Sequence, residues 1–280
     1  MTTSHHATGP KGSAPKVILI TGASSGIGQQ SALDLIREGH IVYGAARRVE
    51  AMAPLIEAGG HTLALDVTED ASMVAAVQQV IEAEGRIDVL INNAGYATYG
   101  AVEDIPMETG RRQLEVNIMG LARMTQLVLP HMREQQAGRI LNISSIGGTI
   151  HTPLGAWYHG TKFFVEGFTN ALRLEVEDKG IQMVLIAPGL IDTGFSEVLT
   201  KELTRNEKEP AYKPLYDGLR NADAQSQSAP GTVSKAISKA ISARHPKTIY
   251  RAGKYANLLY VLRRLLPHRV FDKMVLSMVK

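Results

Sequence analysis

Cysteine is absent from all 280 residues. Disulfides, thiolate metal ligands and a cysteine nucleophile are thereby excluded, and the absence suits a reducing cytoplasm, where the protein is expected. No apolar stretch opens the chain. Residues 1–15, which include His5 and His6, are rich in Thr, Ser, Gly, Pro, Lys and Ala; this predicts a disordered tail rather than a signal peptide, a membrane anchor or a metal site. Nor does a later run approach the ~20 apolar residues that span a bilayer. The longest near the C-terminus is Leu258-Leu259-Tyr260-Val261-Leu262. Charge of one sign is also missing: 30 basic and 27 acidic residues give a net charge of +3. They are mixed along most of the chain, so the clustered stripe that nucleic acid demands is lacking and no such partner is expected. The one basic bias is Lys247, Arg251, Lys254, Arg263, Arg264, His268 and Arg269, interleaved with apolar residues. Amphipathic helices packed onto the domain account for it, with contact to an anionic membrane surface as the other reading.

What the chain does have is 44% hydrophobic residues, enough for one large core covered on both faces. Apolar runs at Val17–Ile20, Ile41–Tyr43, Thr62–Leu65, Val89–Ile91, Ile140–Ile143 and Met183–Ile186 have the continuous character of strands buried on both sides. Helical stretches separate them, at 29–38, 72–84, 110–133 and 156–176. Such alternation predicts an α/β fold, a Rossmann-like doubly wound parallel sheet of about seven strands with helices on both faces, in one domain over 16–280. Ligands then bind beyond the carboxyl ends of the strands, at the switch point. Residues 194–230 are charged, polar and weakly periodic, which predicts a substrate lid. Residues 231–280 supply a helix at 233–243, a seventh strand at 247–251 and apolar helices that complete the pocket.

Tyr158 and Lys162 stand four residues apart, so on a helix they share one face at about 5–6 Å. A charge roughly 5 Å from a phenol, at an effective dielectric of ~20, is worth roughly 3 kcal/mol, or about two pKa units below the ordinary value near 10. The expectation is a phenol usable as acid or base. Such a pair alone occurs on many helices; order and spacing carry the weight. The turn Thr21-Gly22-Ala23-Ser24-Ser25-Gly26-Ile27-Gly28 comes first, then Asn92-Asn93-Ala94-Gly95, Asn117, Ser145, the Tyr158/Lys162 pair, and Pro188-Gly189-Leu190-Ile191-Asp192-Thr193. In this set the chain resembles the short-chain dehydrogenase/reductase family of the compact single-domain kind. The likeness is close over 16–195 and looser beyond, and is strongest to the 17β-hydroxysteroid and retinol dehydrogenase-like branch with its bacterial relatives.

Gly22, Gly26 and Gly28 provide a tight turn, close backbone approach to a pyrophosphate and close packing of the first helix, whose N-terminal N–H groups face the phosphates. Ser24, Ser25 and Ile27 are counted with the same cradle. After the second strand an Asp or Glu would bind the adenosine ribose and reject a 2′-phosphate; the chain reads Gly44-Ala45-Ala46-Arg47-Arg48. Arg47, with Arg48 beside it, can clasp a phosphate through planar charge-assisted hydrogen bonds, so NADP(H) is expected over NAD(H). The resemblance puts Asp66 and Val67 against the adenine, and Asn93, Ala94 and Gly95 beside the adenosine ribose, with Asn93 also tying neighbouring strands. It turns Ile186, Pro188 and Gly189 towards the nicotinamide, whose carboxamide Thr193 would bond.

In the reduction direction Tyr158 gives its proton to a carbonyl oxygen that Ser145 holds. The resemblance assigns Lys162 to the nicotinamide ribose and Asn117 to a water connecting Lys162 with solvent. His159 is left out, because its neighbour position on the helix turns it away from the Tyr158 face. Tyr96, Tyr99, Ile146, Ile150, Trp157, Leu190 and Phe195 are the expected pocket neighbours. Few charges stand among them, implying an apolar carbonyl or secondary alcohol as the small-molecule partner. The expected function is an NADP(H)-dependent oxidoreductase; the alternative is a non-catalytic NADP(H)-binding sensor or scaffold on the same fold. A sensor would typically show a broken catalytic set, and here Asn117, Ser145, Tyr158 and Lys162 are all present. By resemblance the helices at 110–133 and 156–176 are subunit contacts, implying a homodimer or homotetramer.

Overall fold

A computed structural model describes residues 14–192, 195–223 and 228–279. The strands are β1 (Val17–Thr21), β2 (Ile41–Ala46), β3 (His61–Ala64), β4 (Val89–Asn92), β5 (Gly138–Ile143), β6 (Ile181–Pro188) and β7 (Ile249–Ala252). They pair in parallel in the order β3-β2-β1-β4-β5-β6-β7. The chain thus winds outward from β1 in one direction as far as β3 and from β4 in the other as far as β7. Connections leaving β1 and β4 diverge, and a crevice opens at their carboxyl ends.

Around the sheet lie α1 (Gly26–Arg37), α2 (Ala53–Glu57), α3 (Asp70–Glu84), α4 (Met107–Leu114), α5 (Leu121–Glu134), α6 (Ala156–Val176), α7 (Phe195–Asn206), α8 (Lys213–Asp223), α9 (Gly231–Ser242), α10 (Ala256–Leu265) and α11 (His268–Met278). Alternate strand side chains feed two layers. Ile18, Ile20, Val89 and Ile91 pack with Leu35 of α1 and Val233 and Ile237 of α9, while Leu19, Leu90 and Ile140 meet Met124, Val128 and Met132 of α5. Polar ties fix sheet to helices. Asn92 donates to Thr125 Oγ1 (3.0 Å) and Asn142 Oδ1 (2.9 Å), and Asn142 donates to Thr169 Oγ1 (2.8 Å). Arg139, buried on β5, closes the C-terminus of α9 by donating to the carbonyls of Ala240, Ile241 and Ala243, the end of a helix that favours a cation.

Three departures from the sequence reading concern the helices. The stretch at 110–133 is interrupted by a π-helical turn, Glu115–Gly120, between α4 and α5. Helix α2, with its preceding turn, was not foreseen; it is short, and its signal reduces to the buried Met52 and Leu55. The segment expected as a weakly periodic substrate lid is helical over 195–223, as α7 and α8, which share a small apolar core with the loop after β4. Leu199, Leu203 and Tyr216 pack there with Ala97, Tyr99, Ala101 and Leu154. Tyr216 is 0% exposed; its hydroxyl accepts from Ala101 N (2.9 Å) and donates to Asn206 O (2.7 Å). Charged residues dominate the count in this segment because they cover the outer faces, and the few apolar ones sit at helical spacing.

Of the expected tail, residues 1–13 lie outside the described residues. Helices α10 and α11 lay Leu259, Leu262, Leu266 and Phe271 against Ile146 and Ile150, so the basic, apolar end of the chain packs onto the domain, though Leu258, Val261 and Leu265 stay exposed. Among the described residues no helix is long and apolar enough to cross a membrane. Removing the buried hydroxyl in Tyr216→Phe leaves the Ala101 N–H unpaired, which costs about 1–3 kcal/mol. Denaturant unfolding should show that loss, and trypsin should cut at Lys201, Arg205 and Lys208 faster than in the parent; unchanged stability and cleavage would mean the segment is not docked as described.

Candidate active site

At the crevice the chain must leave β1 and β4 without the pairing that satisfied their backbones. Thr21 and Asn93 supply the missing partners: Thr21 Oγ1 accepts from Asn93 N and Ala94 N (both 3.0 Å), and Asn93 Nδ2 donates to Thr21 O (3.0 Å) and Gly22 O (3.1 Å). The turn is therefore drawn tight. Gly22 takes φ +70°, and a Cβ on Gly28 would lie 2.4 Å from Gly22 O and 2.5 Å from Asn93 Nδ2. Helix α1 then begins at Gly26 with no side-chain cap from Ser25, so its first N–H groups remain available to an anion.

The crevice widens into a cleft of ≈ 740 Å³. Its wall runs from Gly22, Ser24, Ser25, Gly26 and Ile27 past Arg47 and Arg48 to Asp66 and Val67. It continues along Asn93, Ala94 and Gly95 to Ser145, Tyr158 and Lys162, with Pro188 and Gly189 opposite. Gly28 and Asn117 stand behind this surface, and Thr193 lies outside the described residues. Asp66 accepts from Thr68 N (3.0 Å) and Oγ1 (2.8 Å) and faces Arg112 at 3.6 Å. Burial alone would raise its pKa, but the Thr68 hydrogen bonds and the charges of Arg112 and Arg47 hold it below the usual value. Arg112, a cleft cation from α4, carried no sequence signal that separates it from Arg111.

Asn117 sits in the π turn and is buried. Its Nδ2 donates to Tyr96 O (2.8 Å) and Thr161 Oγ1 (3.1 Å), and its Oδ1 accepts from Tyr96 N (3.1 Å). The side chain thus clamps the Tyr96 backbone to α6, leaving one lone pair of Oδ1 for the water expected there. Lys162 donates to Ile143 O at 2.9 Å, and its Nζ lies 5.8 Å from the centre of the Tyr158 ring. The expected depression of the phenol is reversed. Burial pushes Tyr158 up, against a smaller downward pull from the Ser145 hydrogen bond, and burial pushes Lys162 down to about 8. Withdrawing both charged forms from water costs more than their mutual attraction returns at this separation.

Two pocket expectations are also corrected. Trp157 does not line the cleft; its indole fills the space above Gly110 of α4. His159 does not turn away. It is buried in the cleft wall, with its ring centre 5.8 Å from that of Tyr158 and 6.3 Å from that of Tyr99, because the start of α6 is wrapped by the loop before it. Tyr96, Tyr99, Ile146, Ile150 and Leu190 do line the cleft, joined by Val198 from α7. The side chain of Phe195 lies outside the described residues.

Residues 16–204 match the short chain dehydrogenase family. The chain belongs to that family. Among curated relatives, the 3-ketodihydrosphingosine reductase of Bacteroides thetaiotaomicron is 36% identical over 88% of this chain and 91% of its own. Among solved structures, a short-chain dehydrogenase from Streptomyces avermitilis superposes with a TM-score of 0.80 at 30% identity, covering 89% of this chain and 92% of that one. An actinorhodin polyketide ketoreductase with NADPH gives 0.74 at 31% identity, covering 85% and 95%. The protein is thus an oxidoreductase of this family on a Rossmann-like fold. A methyl at position 28 has nowhere to go, so Gly28→Ala should abolish NADPH and NADH binding in a fluorescence titration while circular dichroism stays native. Gly231→Ala, where a Cβ meets open space, should leave both unchanged.

Proposed function

We propose that the protein transfers a hydride between NADP(H) and an apolar ketone or secondary alcohol. The observation that carries this reading is that Ser145, Tyr158 and Lys162 line the same cleft as the glycine turn. The residues present fit a dinucleotide: Gly22, Gly26 and Gly28 leave room for a pyrophosphate against the start of α1, and Arg47 and Arg48 are exposed in the turn after β2, whose residues 44–48 include no carboxylate. Asp66, Val67, Asn93, Ala94 and Gly95 would hold the adenosine, while Pro188, Gly189 and Thr193 would face the nicotinamide. When bound, the cofactor supplies or accepts the hydride.

The protein's own part is to handle the proton and fix the geometry. Burial keeps the Tyr158 phenol neutral, the form that donates to a carbonyl oxygen as negative charge develops there. Ser145 Oγ accepts from Gly147 N at 3.0 Å and hydrogen-bonds Tyr158, so the hydroxyl stands beside the phenol, where it would donate to the same oxygen. Lys162, with a pKa near 8, remains largely an ammonium at neutral pH and can resupply the proton. Tyr99, Ile146, Ile150, Leu190 and Val198 give the substrate end an apolar lining, and the names of the two relatives above, a 3-keto reductase and a ketoreductase, support a ketone. Exposed Met119, Phe163, Phe164 and Leu174 on the two long helices support a homodimer or homotetramer, at work in the cytoplasm.

Tyr158→Phe retains the ring and loses the transferable proton. Turnover in a screen of apolar carbonyls with NADPH should vanish while NADPH affinity stays within a few-fold; near-normal turnover would refute the mechanism. Cofactor choice has its own test. Hydrogen bonds to a charged group are worth about 1.5–3 kcal/mol, so Arg47→Asp should cost at least one to two decades in NADPH affinity and improve NADH, since a carboxylate repels the 2′-phosphate and accepts from free ribose hydroxyls. An unchanged ratio of kcat/KM for the two cofactors would remove Arg47 from this role.

A further inference from the structure

His159 makes three contacts, and together they fix its protonation state. Its Nε2 lies 3.0 Å from Thr152 N and 3.0 Å from Thr152 Oγ1, and its Nδ1 lies 3.0 Å from Gly147 O. A backbone N–H can only donate, so Nε2 must hold a lone pair; a carbonyl can only accept, so Nδ1 must hold the proton. The other tautomer would set a lone pair against the carbonyl, and an imidazolium would set a proton against the Thr152 N–H. Backbone crowds the ring on both sides. A Cβ on Gly155 would come within 2.6 Å of His159 Cδ2, and one on Gly147 within 3.0 Å of Nδ1.

The Gly147 residue is the link to the chemistry. Its carbonyl accepts from His159, and its N–H donates to Ser145 Oγ at 3.0 Å. Ser145 in turn hydrogen-bonds Tyr158. We propose that His159, as the neutral Nδ1–H tautomer, is a positioning residue that staples the loop 147–152 across the start of α6 and so aims the Ser145 hydroxyl at the reacting oxygen. It touches no substrate in this role. The inference rests on the catalytic reading of Ser145 and Tyr158 given above.

Burial and the nearest charge favour the same form. Burial is the largest influence and favours the neutral form, partly opposed by the Gly147 hydrogen bond; His151 adds to the neutral side. His151, from the turn before α6, meets Asp272 of α11 at 2.9 Å. Tyr99, from the loop after β4, and Tyr158, on the same helix, present ring faces and edges rather than charges. The second proton is therefore taken up below the ordinary value of 6.5. When it arrives, the Thr152 contact turns repulsive and the loop is released.

Two measurements test this. In ¹⁵N-histidine-labelled full-length protein, with the His159 signals assigned by their loss in His159→Gln, Nδ1 should be protonated and Nε2 bare between about pH 6.5 and 8. A protonated Nε2, or an imidazolium at neutral pH, overturns the proposal. Turnover of phenanthrenequinone with NADPH should show an acid limb in kcat/KM below pH 6.5. His159→Gln, whose amide can make both bonds without titrating, should lose that limb and keep kcat within about threefold, whereas His159→Leu should lower kcat by about ten- to a hundredfold, the scale of a reacting group misplaced by ~1 Å, with NADPH affinity unchanged. An acid limb that persists in the Gln variant, or a Leu variant with parental kcat, overturns it equally. Turnover by Tyr158→Phe would sink the catalytic reading and leave the tautomer standing, so the two failures are distinguishable.

Discussion

Where β1 and β4 part, two strand ends lose their pairing, and the Asn93 amide and Thr21 hydroxyl are what hold them together. Their four hydrogen bonds pull the glycine turn against the β4 loop until no side chain fits at position 28. The rest of the site is hung from this closure. It sets the direction of α1, bares the first N–H groups of that helix, and fixes the height at which Ala94 and Gly95 stand across the cleft. Asn117 extends the same tie by one layer, since it grips the Tyr96 backbone that follows and binds it to α6. The strand ends and the helix that carries Tyr158 and Lys162 are thus one connected frame.

Within that frame burial, more than pair attraction, decides protonation. Tyr158, Lys162, His159 and Glu166 all move towards their neutral forms with desolvation as the largest cause. A desolvated site responds strongly to any charge brought into it, because a low effective dielectric weakens screening. Hydrogen-bond direction therefore matters more than net charge here. Gly147 N orients Ser145, Ile143 O orients Lys162, and Ser144 donates to Glu166 at 3.2 Å behind the loop.

The sheet was legible because six of its strands contain short, mostly apolar runs and the seventh is short but flanked by clear turns; periodicity alone gives their order of occurrence. The cleft residues were legible because glycine, asparagine, serine and the Tyr/Lys pair stand at spacings that a single fold brings together. What escaped has a common cause. Helices α7 and α8 rest on a few residues such as Leu199, Leu203 and Tyr216, whose periodicity is diluted by the charges around them. Trp157 and His159 flank Tyr158, and helical spacing gives their bearing about the axis but not which neighbour occupies that side: Gly110 takes one and the loop 147–155 the other. The acidic phenol expected from the Tyr158/Lys162 spacing is lost for a related reason, since a dielectric proper to surface pairs does not hold for two groups that the fold desolvates.

The π turn at Glu115–Gly120 divides two helices that read as one. A π turn accommodates one residue more than the α register, and each α-helical residue advances the azimuth by about 100°. Gly110 and Gln113 are buried upstream of the turn, Asn117 and Gly120 within it, and Leu121, Met124 and Val128 downstream. Chain length inside this turn is consequently as constrained as residue identity. Excising a single residue there would swing the whole of α5 about its axis, trading buried methionines for polar side chains along the sheet, so that indels rather than substitutions are the changes this stretch is least able to absorb.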